Sequence, residues 1–237
     1  MSRVEPVDLL VFGPHPDDIE IGLGGCIAKH VDLGGRVGLC DLTAGEMGSN
    51  GTMDERLAEA EAARAVLGAD WRVNLRWPDR GFGGREHVRS AAALIREARP
   101  RTVAIPYWSD RHPDHVAASH VLTEAAFDAG LRRIELGMDA WRPERVCYYF
   151  INDSAAPSFV VDVSAAYDRK RRALACYSSQ FRPAGSGAVE TRLTSPRFQQ
   201  LVESRDAQFG ALAGVAFAEG LVVRHPVVLP TLLVDRT

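Results

Sequence analysis

Short apolar runs separated by amphipathic stretches recur along the first half of the chain. Val7 to Phe12 ("VDLLVF") ends in Gly-Pro and has the continuous apolar character of a strand buried on both faces. Ile19 to Leu33 reads as a helix closed by Gly34-Gly35, and Val37 to Leu42 as a second strand. Thr52 to Leu67 carries the clearest helical pattern. Thr52 and Glu55 stand at capping-box spacing, alanines and charges fill the interior, and Gly68 stops it. The spacing predicts a third strand over Trp71 to Leu75, a helix over His87 to Ala98 ended by Arg99-Pro100, and a fourth strand over Thr102 to Pro106. Another helix begins near Pro113, since proline suits a first turn.

Beyond that point the pattern loosens into strands at Arg145 to Phe150 and Phe159 to Val163 and a helix from Ala165 to about Cys176. Strands alternating with helices at this spacing indicate βαβ units. The expected fold class is α/β, three layers (α/β/α) around a mainly parallel, Rossmann-like sheet, in a single domain over residues 1–237. Arg182 to Ser195 ("RPAGSGAVETRLTS") is linker-like, and is read as a solvated connection before a lid. There is no internal repeat and no heptad pattern.

Composition narrows the classes. At 237 residues the chain needs neither a disulfide nor a metal staple merely to fold. A net charge of −3 counts against broad nucleic-acid binding, while leaving room for a local basic pocket. Cys26, Cys40, Cys147 and Cys176 form no C-x-x-C pair, and Cys26 and Cys40 fall in apolar stretches as small hydrophobes. "MSRVEPVD" has no signal pattern and no apolar run is long enough to span a bilayer. The expectation is a soluble, reduced, cytoplasmic protein with neither nucleic-acid nor membrane partners.

The chemistry gathers in two clusters. "GPHPDDIE", from Gly13, follows the first strand, and "YWSDRHPDHVA" follows the fourth. In open α/β sheets ligands bind beyond the carboxyl ends of the strands, so both clusters belong on one rim. His15 and Asp18 are three apart, as are His112 and His115, a spacing that can aim two side chains to one side. Imidazole and carboxylate suit zinc, and hydrolytic zinc sites commonly have three protein ligands. His15, Asp17, Asp18, His112, Asp114 and His115 are the candidates. Two histidines and one aspartate on the metal would leave a carboxylate as base and a histidine for an oxyanion, the parts an amide hydrolase requires.

Two other classes compete. "GLGG" (Gly22 to Gly25) with Asp41 near the end of the second strand faintly suggests a non-catalytic nucleotide-binding module. Those glycines fall inside the helix pattern, however, and better suit close helix–sheet packing. Asp17 and Asp18 would also repel a pyrophosphate. Serine hydrolysis lacks its nucleophile elbow, since Ser49 in "GEMGSNG" is not in a G-x-S-x-G and Ser109 is merely near His112 in sequence.

"GPHPDD" followed by "RHPDH" resembles the LmbE-like or PIG-L family of zinc-dependent N-acetylglucosaminyl deacetylases. "DLTAGEMGSNGT", "NLRWPDRG", "CYYFIN", "YSSQF" and "GVAFAEG" look most like its bacillithiol branch, the N-acetyl-α-D-glucosaminyl L-malate deacetylases. The resemblance implies one zinc per chain on His15, Asp18 and His115, ferrous iron or cobalt being able to fill similar sites. It further implies Asp17 as general base, a charged or hydrogen-bonding His112 on the oxyanion oriented by Asp114, and Arg56 and Arg111 toward the substrate, while Asp79 in "WPDRG" could hold sugar hydroxyls or equally be a turn residue. Pro14 replaces the alanine more usual there. Family members commonly form trimers or hexamers, implying a homo-oligomer acting on a small acetamido sugar. Deacetylation of another glucosaminyl conjugate, or amidase action on a thiol conjugate, would share the same zinc chemistry.

Overall fold

The computed structural model describes residues 4–182 and 187–228. The described chain runs β1 (Leu9–Gly13), α1 (Asp18–Asp32), β2 (Val37–Thr43), α2 (Met53–Leu67), β3 (Trp71–Trp77), α3 (Arg85–Ala98), β4 (Thr102–Pro106) and α4 (Pro113–Ala129). It continues with β5 (Arg145–Tyr149), β6 (Phe159–Asp162), α5 (Tyr167–Ala175), α6 (Ser178–Phe181), α7 (Pro196–Ala213) and β7 (Ala218–Val222). The strands form one seven-stranded sheet in the order β3-β2-β1-β4-β5-β7-β6. Strands β1 to β5 are parallel, and β7 runs antiparallel to both β5 and β6. This is the mainly parallel α/β fold expected from the pattern.

Alternation along β1 explains why both faces are covered. Leu9 and Val11 join a core with α1, α2, α5 and α7, while Leu10 and Phe12 join a core with α3 and α4. Strand β1 pairs with β2 on one side and β4 on the other, so successive connections wind in opposite directions from it. A crevice opens at such a reversal, beyond the carboxyl ends of β1 and β4.

Helix α2 has the ends its sequence spells out. Thr52 accepts from the Glu55 N–H, Glu55 accepts from the Thr52 N–H, and Gly68 closes the helix at φ 82°. Thr52→Ala should cost about 1 kcal/mol. In a chain of this size that lowers Tm by roughly 2–4 °C, which thermal unfolding followed by circular dichroism would check. An unchanged Tm would mean that the cap is redundant with packing.

Helix α7 and strand β7 are not anticipated by the hydrophobic pattern. Ser195 caps α7 and Pro196 opens it, but Ser195 is the last residue of the linker-like stretch and Pro196 follows it directly. Strand β7 ("AEGLV") carries a charged residue, Glu219, that is buried in the fold. The nucleotide-module reading fails on contacts. Asp41 is buried in a two-bond pair with Arg72 rather than open to a ribose. A Cβ on Gly22 would lie 2.2 Å from the Tyr149 ring, so that glycine serves close packing.

Candidate metal centre and active site

Three buried side chains meet where β1 and β4 end. His15 Nδ1 lies 3.0 Å and His115 Nε2 3.3 Å from the same atom, Asp18 Oδ2. His15 follows β1, Asp18 opens α1, and His115 sits in the first turn of α4, so the convergence depends on β1 and β4 being neighbours. A second group of His15, His112 and Asp114 also brings its donor atoms within 4.8 Å of one another. The two groups share His15.

Each histidine of the first group has its other ring nitrogen held by a carboxylate. His115 Nδ1 is 3.1 Å from Asp110, while His15 Nε2 is 3.3 Å from Asp79 and 3.4 Å from Asp114. Metal-ligating histidines characteristically carry such a partner, which fixes tautomer and ring orientation. Burial opposes charge on His115, but Asp18 and Asp110 outweigh it and push the imidazole up to about 9. Burial likewise opposes charge on His15, and Asp114, Asp18 and Asp79 raise it well above its ordinary value. The carboxylates thus attract positive charge to the point between the two rings. Two imidazoles and one carboxylate on that point are a borderline donor set that fits a divalent zinc-like ion.

Asp17 has a different setting. It stands at the N-cap position of α1 yet makes no capping bond, so capping does not account for it. Its φ of 116° is a costly conformation for a residue with a side chain, of the kind found where a site dictates the geometry. Its Oδ2 is 3.3 Å from Arg56 Nη2. Burial pushes its carboxyl up to about 7, Arg56 pulls against that, and Asp18 adds to it.

Arg56 lines the cavity but is itself buried, donating to the carbonyls of Gly45 and Pro16 as well as to Asp17. Those bonds direct its charge at Asp17. Gly45, at φ 67°, makes this possible, because a Cβ there would lie 1.8 Å from the guanidinium. Asp79 is also committed: one oxygen faces His15 and the other accepts from the Met47 N–H. It thus backs a candidate ligand while also lining the cavity.

Of the two forms expected for His112, charged or hydrogen-bonding, the structure disfavours the charged one, and Asp114 meets the ring through its backbone N–H. His112 Nδ1 accepts from the Asp114 backbone N–H at 3.2 Å, so in the neutral ring the proton is on Nε2. Partial burial, with His115 and His15 nearby, depresses its pKa. His112 is therefore a neutral donor. The Asp114 carboxylate turns instead to Arg80, 2.8 Å away, and to His15.

Asp110 and Asn152 were not among the sequence candidates. Asp110 accepts from the His112 and Asn152 backbone N–H groups and from the Asn152 side chain, besides facing His115. Burial notwithstanding, His115 and these donors bring its carboxyl down to about 2. Its only sequence signal is its position two residues before His112.

His15, Asp17, Asp18, His112, His115 and Asn152 line a cavity of about 430 Å³. Arg111 and Arg192 stand exposed in its wall, and neither forms an ion pair with a described residue. Arg192 belongs to the stretch read as a connection, of which residues 183–186 lie outside the described residues, so its reading as solvated linker or lid is not addressed there. Its described part is anchored, since the Asn50 amide exchanges two 2.8 Å bonds with the Val189 backbone.

A family model described as GlcNAc-PI de-N-acetylase (PIG-L) matches residues 10–126. Diacetylchitobiose deacetylase of Thermococcus kodakarensis is 34% identical over 189 residues, covering 73% of this chain and 70% of its own. The 1D-myo-inositol 2-acetamido-2-deoxy-alpha-D-glucopyranoside deacetylase of Rhodococcus opacus is 28% identical over 244 residues, covering 76% and 83%. The structure of the conserved protein TT1542 of Thermus thermophilus superposes with a TM-score of 0.86 at 40% identity, covering 94% of this chain and 97% of that one.

Proposed function

This chain belongs to the PIG-L family of de-N-acetylases, and we propose on that premise that it hydrolyses the acetamide of an N-acetylglucosaminyl conjugate with an anionic aglycone, N-acetylglucosaminyl L-malate. The observation that carries the reading is the convergence of His15 and His115 on one oxygen of Asp18, in a cavity whose wall holds Arg111 and Arg192. His15, Asp18 and His115 would hold zinc or a similar divalent ion. Such an ion, when bound, acidifies a water and polarises the acetamide carbonyl.

The side chains supply the rest. Asp17 accepts a proton from the attacking water as the oxygen adds to the carbonyl carbon. The His112 Nε2–H donates to the oxygen that becomes negative, a role a neutral imidazole fills. As the C–N bond breaks, Asp17 returns the proton to nitrogen, leaving acetate and a free glucosaminyl amine. Asp110 and Asn152 keep His115 in one orientation, and Arg56 keeps Asp17 beside the reacting atoms.

Two relatives are named for diacetylchitobiose and for an inositol conjugate, neither of which carries a carboxylate, and an uncharged substrate is the second reading. Two unpaired arginines favour the anionic one, because guanidinium meets carboxylate through two parallel bonds. The test is acetate release by metal-stripped protein, with and without restored zinc, on the malate conjugate, the inositol conjugate and diacetylchitobiose. Zinc-dependent release with the malate conjugate preferred about 10- to 100-fold is expected, the scale of lost charge-assisted hydrogen bonds. Comparable release from all three overturns the aglycone and keeps the deacetylation. No zinc-dependent release from any of them overturns the deacetylase reading and turns the search to thiol-conjugate amides.

A companion prediction concerns the arginines. Arg111→Ala and Arg192→Ala should each raise KM for the malate conjugate about tenfold or more, and raise it less for N-acetylglucosamine. Equal losses on both substrates would assign them a general role.

A further inference from the structure

Helix α1 is broken at Leu23, ten residues after β1 ends at Gly13. Leu23, at φ −136° and ψ 16°, is non-helical and separates a first turn bearing Asp18 from the rest. An unbroken helix would direct the Gly25 and Cys26 N–H groups at the carbonyls of Ile21 and Gly22. Here both N–H groups donate to the Glu219 carboxylate, at 2.9 and 2.6 Å. The Ile21 carbonyl accepts from Arg205 Nη2 at 2.7 Å. The ends created by the break are thus capped by one acid and one base from distant elements, β7 and α7.

Those two caps belong to one buried network. Lys170 Nζ lies 2.6 Å from Glu219 and 2.6 Å from Asp206, and Asp206 is 3.0 Å from Arg205. All four side chains are buried, with two positive and two negative charges. Buried ions on this scale cost several kcal/mol each to desolvate, and apolar residues would often stabilise as well. Stability alone therefore does not account for the quartet, which points to a second role.

The bonds of Arg205 indicate one. Besides Ile21, its Nη1 donates to the carbonyls of Phe150 and Ile151, at 3.0 and 2.9 Å. Ile151 precedes Asn152, which holds Asp110 and through it His115. One guanidinium therefore ties the turn that carries Asp18 to the loop that orients His115. Gly24 lets the helix approach, since a Cβ there would lie 2.9 Å from Lys170.

We propose that the Glu219–Lys170–Asp206–Arg205 quartet is a positioning device, holding the broken first turn of α1 so that Asp18 is fixed against His115. Arg205 and Glu219 are then positioning residues that touch neither substrate nor metal. The proposal rests on the hydrolytic reading above for its consequence, and on the helix break for its geometry.

The test compares Arg205→Lys and Glu219→Gln with the parent protein at 25 °C, each first shown to be folded by circular dichroism. Arg96→Lys is the control, a buried arginine on the opposite face that donates to the carbonyls of Ala129, Leu131 and Ile134. The expected result is cobalt affinity weakened about 10- to 100-fold, as for residues that orient metal ligands. The cobalt visible spectrum should change, and kcat should fall with KM little altered. Arg96→Lys should lose thermal stability with the parent spectrum retained. Parent-like cobalt affinity, spectrum and kcat in both quartet variants overturn the proposal. Amide exchange at residues 18–21 separates the two ideas. If the parent protein binds no cobalt, the hydrolytic reading falls, and faster exchange there in both variants still supports the positioning claim. Unchanged exchange overturns it.

Discussion

Asp17→Asn is expected to keep the full metal content of the protein and to lose about 10²- to 10⁴-fold in kcat, the range of a positioned acid–base group. The change is nearly isosteric. Asparagine can still accept from Arg56 through its carbonyl oxygen, and it tolerates positive φ better than most residues. What it cannot do is take the proton of an attacking water. The buried carboxyl near the Asp18 charge is raised to about 7, in the range where a base can both accept and return a proton. Elemental analysis of the purified variant, alongside acetate release, checks both halves. Full metal with near-parent turnover would remove Asp17 from the base role.

Its neighbour should behave oppositely. Asp18→Ala removes the oxygen on which His15 and His115 converge, so metal content should drop from one per chain to a small fraction and acetate release should vanish with it. The fold should persist, because Asp18 sits at the start of α1 and the sheet core does not include it. Burial works against charge on Asp18 as well, yet His115 and His15 hold its carboxyl well below the usual range. Without it both imidazoles lose the partner that most directly faces the metal position. Zinc titration by calorimetry and metal analysis after dialysis would measure the loss. Full retention of zinc would transfer the ligand role to His15, His112 and Asp114, the other group whose donor atoms come together. Two adjacent aspartates with opposite outcomes make a stringent pair.

Much of the layout was legible because it follows from local rules. The β1, β2 and β4 runs are apolar on both faces, and α2 is bracketed by a capping box and a glycine, signals that need no partner to be read. Both histidine–aspartate clusters were legible for the same reason, since each directly follows a strand of a parallel sheet. Asp110 and Asn152 were not, because a single acid or amide in a loop has no pattern until the fold brings it to a histidine. Arg56 illustrates the converse. The sequence marks it as an arginine near the site, and only its buried bonds to Gly45, Pro16 and Asp17 reveal what its charge acts on.

The sequence by itself determined the layering, the rim on which the chemistry lies and the residue types that could hold a metal, since periodicity, capping and chain order are properties of neighbours. Tertiary structure decided the rest. It set which imidazole nitrogen faces which carboxylate, turned His112 into a neutral donor, and brought Arg192 to the cavity wall. It also joined β7 and α7 to a break in α1 through a quartet drawn from residues 170 to 219. The physical reason is that charge state and hydrogen-bond direction depend on burial and on partners far along the chain. A buried glutamate and a solvated one look the same until the fold surrounds them.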